Sequence, residues 1–249
     1  MTSDKPYLSV IIPAYNEQKR IVNTILATDK YLSVQPYSYE IVVVDDGSRD
    51  ETVNTVKNLQ KVVKNLFVIE NRENHGKGFV VKRGMLETQG KIRLFMDADN
   101  ATTVDHFEKM KPYFDKGAKV VIASRSTKDA KGTEQAVKQA FYKRLLGQAG
   151  NLFIQIMVIP GIWDTQCGFK AVTDTAAQEI FSRTLDNRWG FDIEMLGIAH
   201  ALGYGIEKIP VHWVNDPNSK VSLKNYLQVL IETVVIRMNL WTGKYHITQ

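Results

Sequence analysis

Cysteine is almost missing: Cys167 stands alone in 249 residues. That excludes a disulfide framework, a cysteine-rich zinc site and a CxxC redox pair. Histidine is sparse, and His75, His106, His200, His212 and His246 lack the HxxxH spacing of a helical metal site. No uninterrupted apolar stretch approaches the roughly 20 residues needed to span a bilayer. The opening residues, Met1 to Pro6, do not have the basic-then-apolar layout of a signal peptide. The expectation is a cytoplasmic protein, or one peripheral at the cytoplasmic face of a membrane. Charge of one sign is also scarce. Thirty-two Lys and Arg against 27 Asp and Glu leave +5, too mild for a nucleic-acid partner but compatible with phosphates or anionic lipids. The excess gathers in the second half: 124–150 holds six cations and two acids, and 217–249 four cations and one acid.

What is there is alternation. Short apolar, β-branched runs at 7–12, 40–44, 66–69, 92–96 and 119–123 are separated by helix-period segments near 17–34, 50–63, 77–89 and 105–115. Near-continuous apolar strands are expected where a parallel sheet is covered on both faces. The fold class expected is therefore α/β, a mostly parallel doubly wound sheet with helices on both faces. The second half carries a long helical segment near 134–159 that stops at Pro160-Gly161, a strand near 167–172, two shorter helices, a strand near 206–214 and a final helix near 222–241. No Pro-, Gly- or Ser-rich linker divides the chain. A single domain is expected, with a first half at about 7–125, a specialised second half at about 126–221 and an amphipathic helix at about 222–243.

In open parallel sheets, ligands bind at the carboxyl ends of the strands. Past the first strand come Pro13, Tyr15, Asn16 and Glu17; past the second, Asp45-Asp46-Gly47-Ser48; past the third, Asn74-His75-Gly76-Lys77-Gly78; past the fourth, Asp97-Ala98-Asp99; past the fifth, Ser124-Arg125. Asp97 and Asp99, at i and i+2, can converge on Mg2+ or Mn2+, which usually keeps substrate phosphates as its other ligands; an Asx-turn is the plain alternative. Adjacent Asp45 and Asp46 repel unless donors meet them. The 74–78 turn opens a helix and can hold phosphate through backbone N–H groups and Lys77. It is not GxxxxGK[ST], and the turn after the first strand lacks GxGxxG, which demotes a dinucleotide-dependent oxidoreductase.

Val10-Ile-Ile-Pro-Ala-Tyr-Asn-Glu17, Val43-Val-Asp-Asp-Gly-Ser48, Gly76-Lys77-Gly78 and Asp97-Ala-Asp99, in this order, resemble the family 2 glycosyltransferases of GT-A fold. In the second half, Asp164-Thr-Gln-Cys-Gly-Phe-Lys170, Arg188-Trp-Gly-Phe-Asp-Ile-Glu194 and Ser219-Lys220 resemble the dolichyl-phosphate β-glucosyltransferase branch. The resemblance runs from about Leu8 to Gly243. It implies an inverting enzyme using a nucleotide-diphosphate sugar and a polyprenyl phosphate. It assigns Asp97 and Asp99 to the metal and the chemistry, and Pro13, Tyr15, Glu17, Asp45, Asp46, Lys77, Gly78, Asp97 and Lys220 to the donor nucleotide. Gln166, Trp189 and Asp192 would orient the sugar, with Asp192 and Glu194 acting near the reaction without serving as an obligatory base. Two departures narrow the match. Ala101 stands where mannose synthases of this group place a metal-binding Gln, and Leu185 stands where processive synthases have the Gln of QxxRW.

A phosphate acceptor calls for cations, and Arg125, Lys143 and Arg144 are the candidates. Its lipid tail calls for an apolar path, offered by Leu152-Phe-Ile-Gln-Ile-Met-Val-Ile159. Trp241 and Tyr245, flanked by Arg237 and Lys244, suit a membrane surface. The function expected is transfer of one hexose, glucose from UDP-glucose, to a polyprenyl phosphate. The alternatives are GDP-mannose or UDP-N-acetylglucosamine as donor, a non-lipid acceptor, or a nucleotide-sugar-binding protein without catalysis. A homo-oligomer is left open.

Overall fold

A computed structural model of the chain describes residues 5–135, 141–213 and 223–247, without side chains at 134–135, 141–146, 212–213 and 223–225. The first half is four βα units and a fifth strand. Strands β1 (Leu8–Ala14), β2 (Tyr39–Asp45), β3 (Leu66–Glu70), β4 (Ile92–Met96) and β5 (Val120–Ser124) alternate with helices α1 (Ile21–Leu32), α2 (Thr52–Leu59), α3 (Lys77–Glu87) and α4 (Phe107–Asp115). After them come a short β6 (Glu134–Gln135), α5 (Phe141–Met157), β7 (Phe169–Thr173), α6 (Asp174–Phe181), α7 (Phe191–Ala201), β8 (Ile206–Pro210), β9 (His212–Trp213) and α8 (Leu223–Trp241).

Seven strands form one sheet in the order β3-β2-β1-β4-β7-β5-β8, and β6 pairs with β9 beside it. Strand β7 alone runs antiparallel, wedged between β4 and β5. The sheet is thus mostly parallel, with one inserted strand whose direction its apolar run does not reveal. The period-2 geometry of a strand sends alternate residues to opposite faces. On one face Ile11, Val44, Phe95 and Ile122 pack with α3, α6 and α7 and with Val229 and Ile236 of α8. On the other, Val10, Ile12, Val43, Leu94 and Val121 meet Ile25 of α1, Val56 of α2 and Phe107 of α4. Because both faces are covered, the strands read as unbroken apolar runs. The β1–β2 register sets Ala14 beside Asp45, and β2–β3 sets Asp45 beside Glu70, so the carboxyl ends of these strands finish level at one edge. Among the described residues, no helix is long and apolar enough to cross a membrane.

Candidate active site

The edge is built first by the turn after β2. Asp46 lies buried, and its carboxylate accepts from the backbone N–H of His75 at 2.9 Å and of Gly76 at 2.8 Å. Burial pushes this carboxyl up despite the pull of those donors. Asp45 takes Ser48 N–H at 2.9 Å on Oδ2, while its Oδ1 is buried without a partner among the described residues. Gly47 has φ +72°, and a Cβ there would lie 2.7 Å from the Glu73 carbonyl carbon, so the 45–48 and 73–76 turns interlock only with glycine. Above them Tyr15 is exposed, Pro13 is buried within β1, and Glu17 is held by Arg20 at 2.7 Å.

The 74–78 turn is not the phosphate cradle that its glycines and helix start suggest. His75 and Gly76 give their N–H groups to Asp46. Those of Gly78 and Phe79 go to the carbonyls of Arg188 at 3.1 Å and Asn187 at 3.2 Å. The glycines serve this packing: a Cβ would stand 2.3 Å from Asn187 O at Gly76 and 2.4 Å from Asp186 O at Gly78. What faces the edge is the Lys77 side chain. Its ammonium contacts Asp97 Oδ1 at 2.6 Å. Burial alone would lower its pKa, but Asp97, Asp192 and Asp99 outweigh that and hold it above the usual lysine value.

Asp97 and Asp99 follow β4, joined by a turn in which Asn100 takes a left-handed φ of 56° and Ala101 N–H donates to Asp99 Oδ1 at 3.0 Å. The Asx-turn is thus present at Asp99. Asp97 is met from β7's approach by Gly168, where a Cβ would fall 1.9 Å from Asp97 Oδ2. Burial, then the charge of Asp97, lifts the Asp99 carboxyl. A divalent cation between the two would relieve that repulsion, and two carboxylates are the hard donors Mg2+ or Mn2+ takes. Among the described residues no third His, Cys, Asp or Glu joins them in a metal-holding group. Such an ion would fill its sphere from substrate oxygens or water.

Behind this pair lies a buried charge pair that motif reading missed. Lys170 is fully buried, 0% exposed, and forms a short ion pair with Asp192. It also donates to Cys167 O at 2.7 Å and sits 5.2 Å from the Phe95 ring centroid. The Asp192 carboxyl is pushed up by burial against the pull of Lys170 and Lys77. Charges thus alternate from core to edge: Lys170, Asp192, Lys77, Asp97. In the sequence Lys170 shows only as the end of the Asp164–Lys170 motif and as the second residue of an apolar strand, with nothing to name Asp192 as its partner. Cys167 is buried, and burial and Asp164 push its thiol up to about 12, so it is inert.

Two expected roles meet competing contacts. Arg125, expected to face an acceptor phosphate, places Nε and Nη2 on the two oxygens of Asp164, both at 2.8 Å, and its own N–H on Asp164 Oδ2. Burial would weaken both charges, yet each partner overrides it: Arg125 is raised and Asp164 lowered. The fork is committed to a carboxylate 39 residues away. Glu194, expected beside the chemistry, accepts from Leu185 and Asp186 N–H, both at 2.9 Å, and from Tyr245 Oη–H at 2.8 Å. Two residues along α7 from Asp192, it points away, so it anchors the 185–188 loop and the chain after α8. Gln166 is exposed and Trp189 largely so. Lys220, like the side chains of Lys143 and Arg144, lies outside the described residues.

Residues 9–181 match the pattern described as Glycosyl transferase family 2. The chain is 34% identical over 256 residues, 98% of its length and 78% of the relative's, to the dolichyl-phosphate beta-glucosyltransferase of Dictyostelium discoideum. It superposes on mannosyl-3-phosphoglycerate synthase from Rubrobacter xylanophilus with a TM-score of 0.71, at 17% identity, covering 98% of this chain and 76% of that one. Glucosyl-3-phosphoglycerate synthase from Mycobacterium tuberculosis, solved with Mn2+, uridine diphosphate and phosphoglyceric acid, gives 0.63 at 17% identity, covering 98% and 80%.

Proposed function

The chain belongs to glycosyl transferase family 2, and we propose that it moves glucose from UDP-glucose to a polyprenyl, dolichyl-type phosphate with inversion. The observation that carries this is the meeting of Asp97, Asp99, Lys77 and Asp192 at the carboxyl edge of the sheet, in a chain similar along its whole length to dolichyl-phosphate glucosyltransferases. Asp97 and Asp99 hold Mg2+ or Mn2+. When bound, the ion supplies positive charge against which a diphosphate departs. Lys77 adds a second cation on the same side, held by Asp97 and kept protonated by the nearby charges of Asp97 and Asp192. Tyr15, Asp45 and Asp46 frame the nucleotide end, with Gln166 and Trp189 near the sugar.

A phosphate monoester is already largely dianionic at neutral pH, its second pKa being about 6. It needs placement more than deprotonation. Lys143 and Arg144 supply positive charge on the acceptor side, Arg125 being held by Asp164, and in-line attack opposite the diphosphate inverts an α-linked donor to a β-linked product. The lipid is met at a membrane surface, peripherally, on the cytoplasmic side. Two exposed apolar stripes support this: Leu152 and Ile156 on α5, and Leu227, Ile231, Val234, Met238 and Trp241 on α8. At 100° per residue the α8 set falls within an arc of about 80°. The test is UDP release from UDP-glucose. It should require polyprenyl phosphate and yield a β-linked lipid product. Release without acceptor, or an α-linked product, overturns the reading.

A further inference from the structure

A second feature lies at the far end of α7 from Asp192. A cavity of about 490 Å³ opens between α5, α7 and α8, walled by Ile156, Met157 and Pro160 and by the polar side chains of Gln155, His200 and Arg237. None of its lining residues is acidic. Arg237 is exposed and forms no ion pair among the described residues. Gln155 Oε1 accepts from Gly161 N–H at 3.2 Å, and its amide Nε2 is buried without an acceptor among the described residues. The charge the cavity offers is therefore that of Arg237, with the His200 ring beside it and no carboxylate in the lining to oppose a bound anion. Its rim is apolar: Ile156 is 73% exposed, and Trp241, one turn beyond Arg237, is 84% exposed.

We propose that this cavity binds the phosphate of an anionic membrane phospholipid while the lipid's acyl chains lie along the apolar stripes of α5 and α8. The inference rests on the membrane-surface reading given above and adds a specific headgroup site to it. This phosphate is not the one that reacts. Eight residues of helix separate Asp192 from His200, about 12 Å along the axis. Arginine suits the role because its planar fork engages a phosphate with two parallel N–H bonds, which a lysine cannot reproduce. Bound there, the lipid would fix α8 in the interface by headgroup recognition as well as by apolar insertion.

The test uses the full chain and flotation on phosphatidylcholine vesicles with and without phosphatidylglycerol. Arg237→Lys keeps the charge, so diffuse attraction to an anionic surface leaves its binding unchanged. Loss of a bidentate charge-assisted contact instead predicts roughly tenfold weaker binding to the anionic vesicles. Turnover on a short, soluble polyprenyl phosphate should remain at the wild-type level in Arg237→Lys. Lys61→Gln, which removes a surface cation on the other side of the sheet, should change flotation little. If wild type floats on anionic vesicles and Arg237→Lys floats equally well, the headgroup site is wrong while the membrane reading stands. If wild type floats on neither vesicle at low salt, the membrane reading fails and this inference with it. Titration with inorganic phosphate closes the alternative: phosphate binding that Arg237→Lys abolishes would reassign the cavity to a free anion and overturn the lipid.

Discussion

Lys170 and Asp192 set the terms at the scale of single residues. An ammonium with no exposed surface is tolerated only when paired and hydrogen-bonded, and here Asp192 and the Cys167 carbonyl do both. Lys170→Met strands the Asp192 carboxylate in the core, and breaking such a pair costs about 3–5 kcal/mol. Urea unfolding should show that loss, and Lys170→Met combined with Asp192→Leu should recover a large part of it. An isolated loss under about 1 kcal/mol would mean the pair is weaker than its burial implies. Asp99→Asn is the opposite kind of change. The amide oxygen can still accept from Ala101 N–H, and the substitution removes the repulsion with Asp97 that helps lift the Asp99 carboxyl. Thermal stability should hold or rise while kcat falls about 10²–10³-fold, the usual loss when one strong electrostatic stabiliser is deleted. Full turnover in this variant, or in chelator, would exclude a metal-centred role.

At the scale of elements, the start of α3 and the body of α8 are both tied to the 185–190 loop. Replacing Gly by Ala inside an exposed helix normally stabilises by about 1 kcal/mol. At Gly78 the sign should reverse, because the added Cβ meets Asp186 O at 2.4 Å and Phe191 Cβ at 2.8 Å. Gly78→Ala should destabilise by about 1–3 kcal/mol and lower kcat, since Lys77 is the neighbouring residue. Denaturant melts and steady-state rates read the two effects separately.

On α8, Glu232 packs against Gly190. One oxygen takes Gln228 at 2.7 Å, and the other is buried without a partner among the described residues. Burial raises its carboxyl and Asp186 adds to the rise, while Gln228, Gly190 and Arg188 pull the other way. A carboxyl raised in the folded state lets the unfolded chain lose its proton first. Stability therefore falls as pH climbs from the ordinary glutamate value of 4.5 through the higher folded value. Glu232→Gln removes that loss. Its melting temperature should exceed wild type at pH 7, and the gap should close on acidification towards 4.5. A gap that stays constant with pH would remove the titration from the account.

The whole molecule separates two surfaces. The carboxyl edge of the sheet holds the charged groups, and the outer sides of α5 and α8 hold the exposed apolar stripes. These helices are not appendages: Val229, Thr233 and Ile236 of α8 are buried, as is Tyr245 beyond it, bonded to Glu194. Deleting the terminal helix would therefore open the core, so the membrane surface is better probed from outside. Ile231→Ser with Met238→Ser alters only exposed positions. It should leave the melting temperature within about 2 °C, since surface changes are usually within 0.5 kcal/mol, and should abolish vesicle flotation. Retained flotation would place the membrane contact elsewhere.

The strands β1 to β5 and the polar residues that follow them were legible in the sequence because they are local. Each buried strand is a short apolar run, and each carboxylate at the edge comes within a few residues of a strand end, so pattern and position coincide. The motif around Asp97 and Asp99 was legible for the same reason. The antiparallel direction of β7 was not, since an apolar run of five residues is the same in either direction. Nor was the choice of partners. Arg125 reads as a free phosphate ligand until Asp164, 39 positions on, takes its fork. The N–H groups at the start of α3 read as a phosphate cradle until the carbonyls of Asn187 and Arg188 fill it, and Lys170 reads only as the end of a motif until the sheet buries it against Asp192. Sequence determined which groups reach the edge, because that depends on spacing along one strand. Only tertiary structure decided which of them neutralise one another, because a charge's partner depends on distance through space and on how far water is excluded.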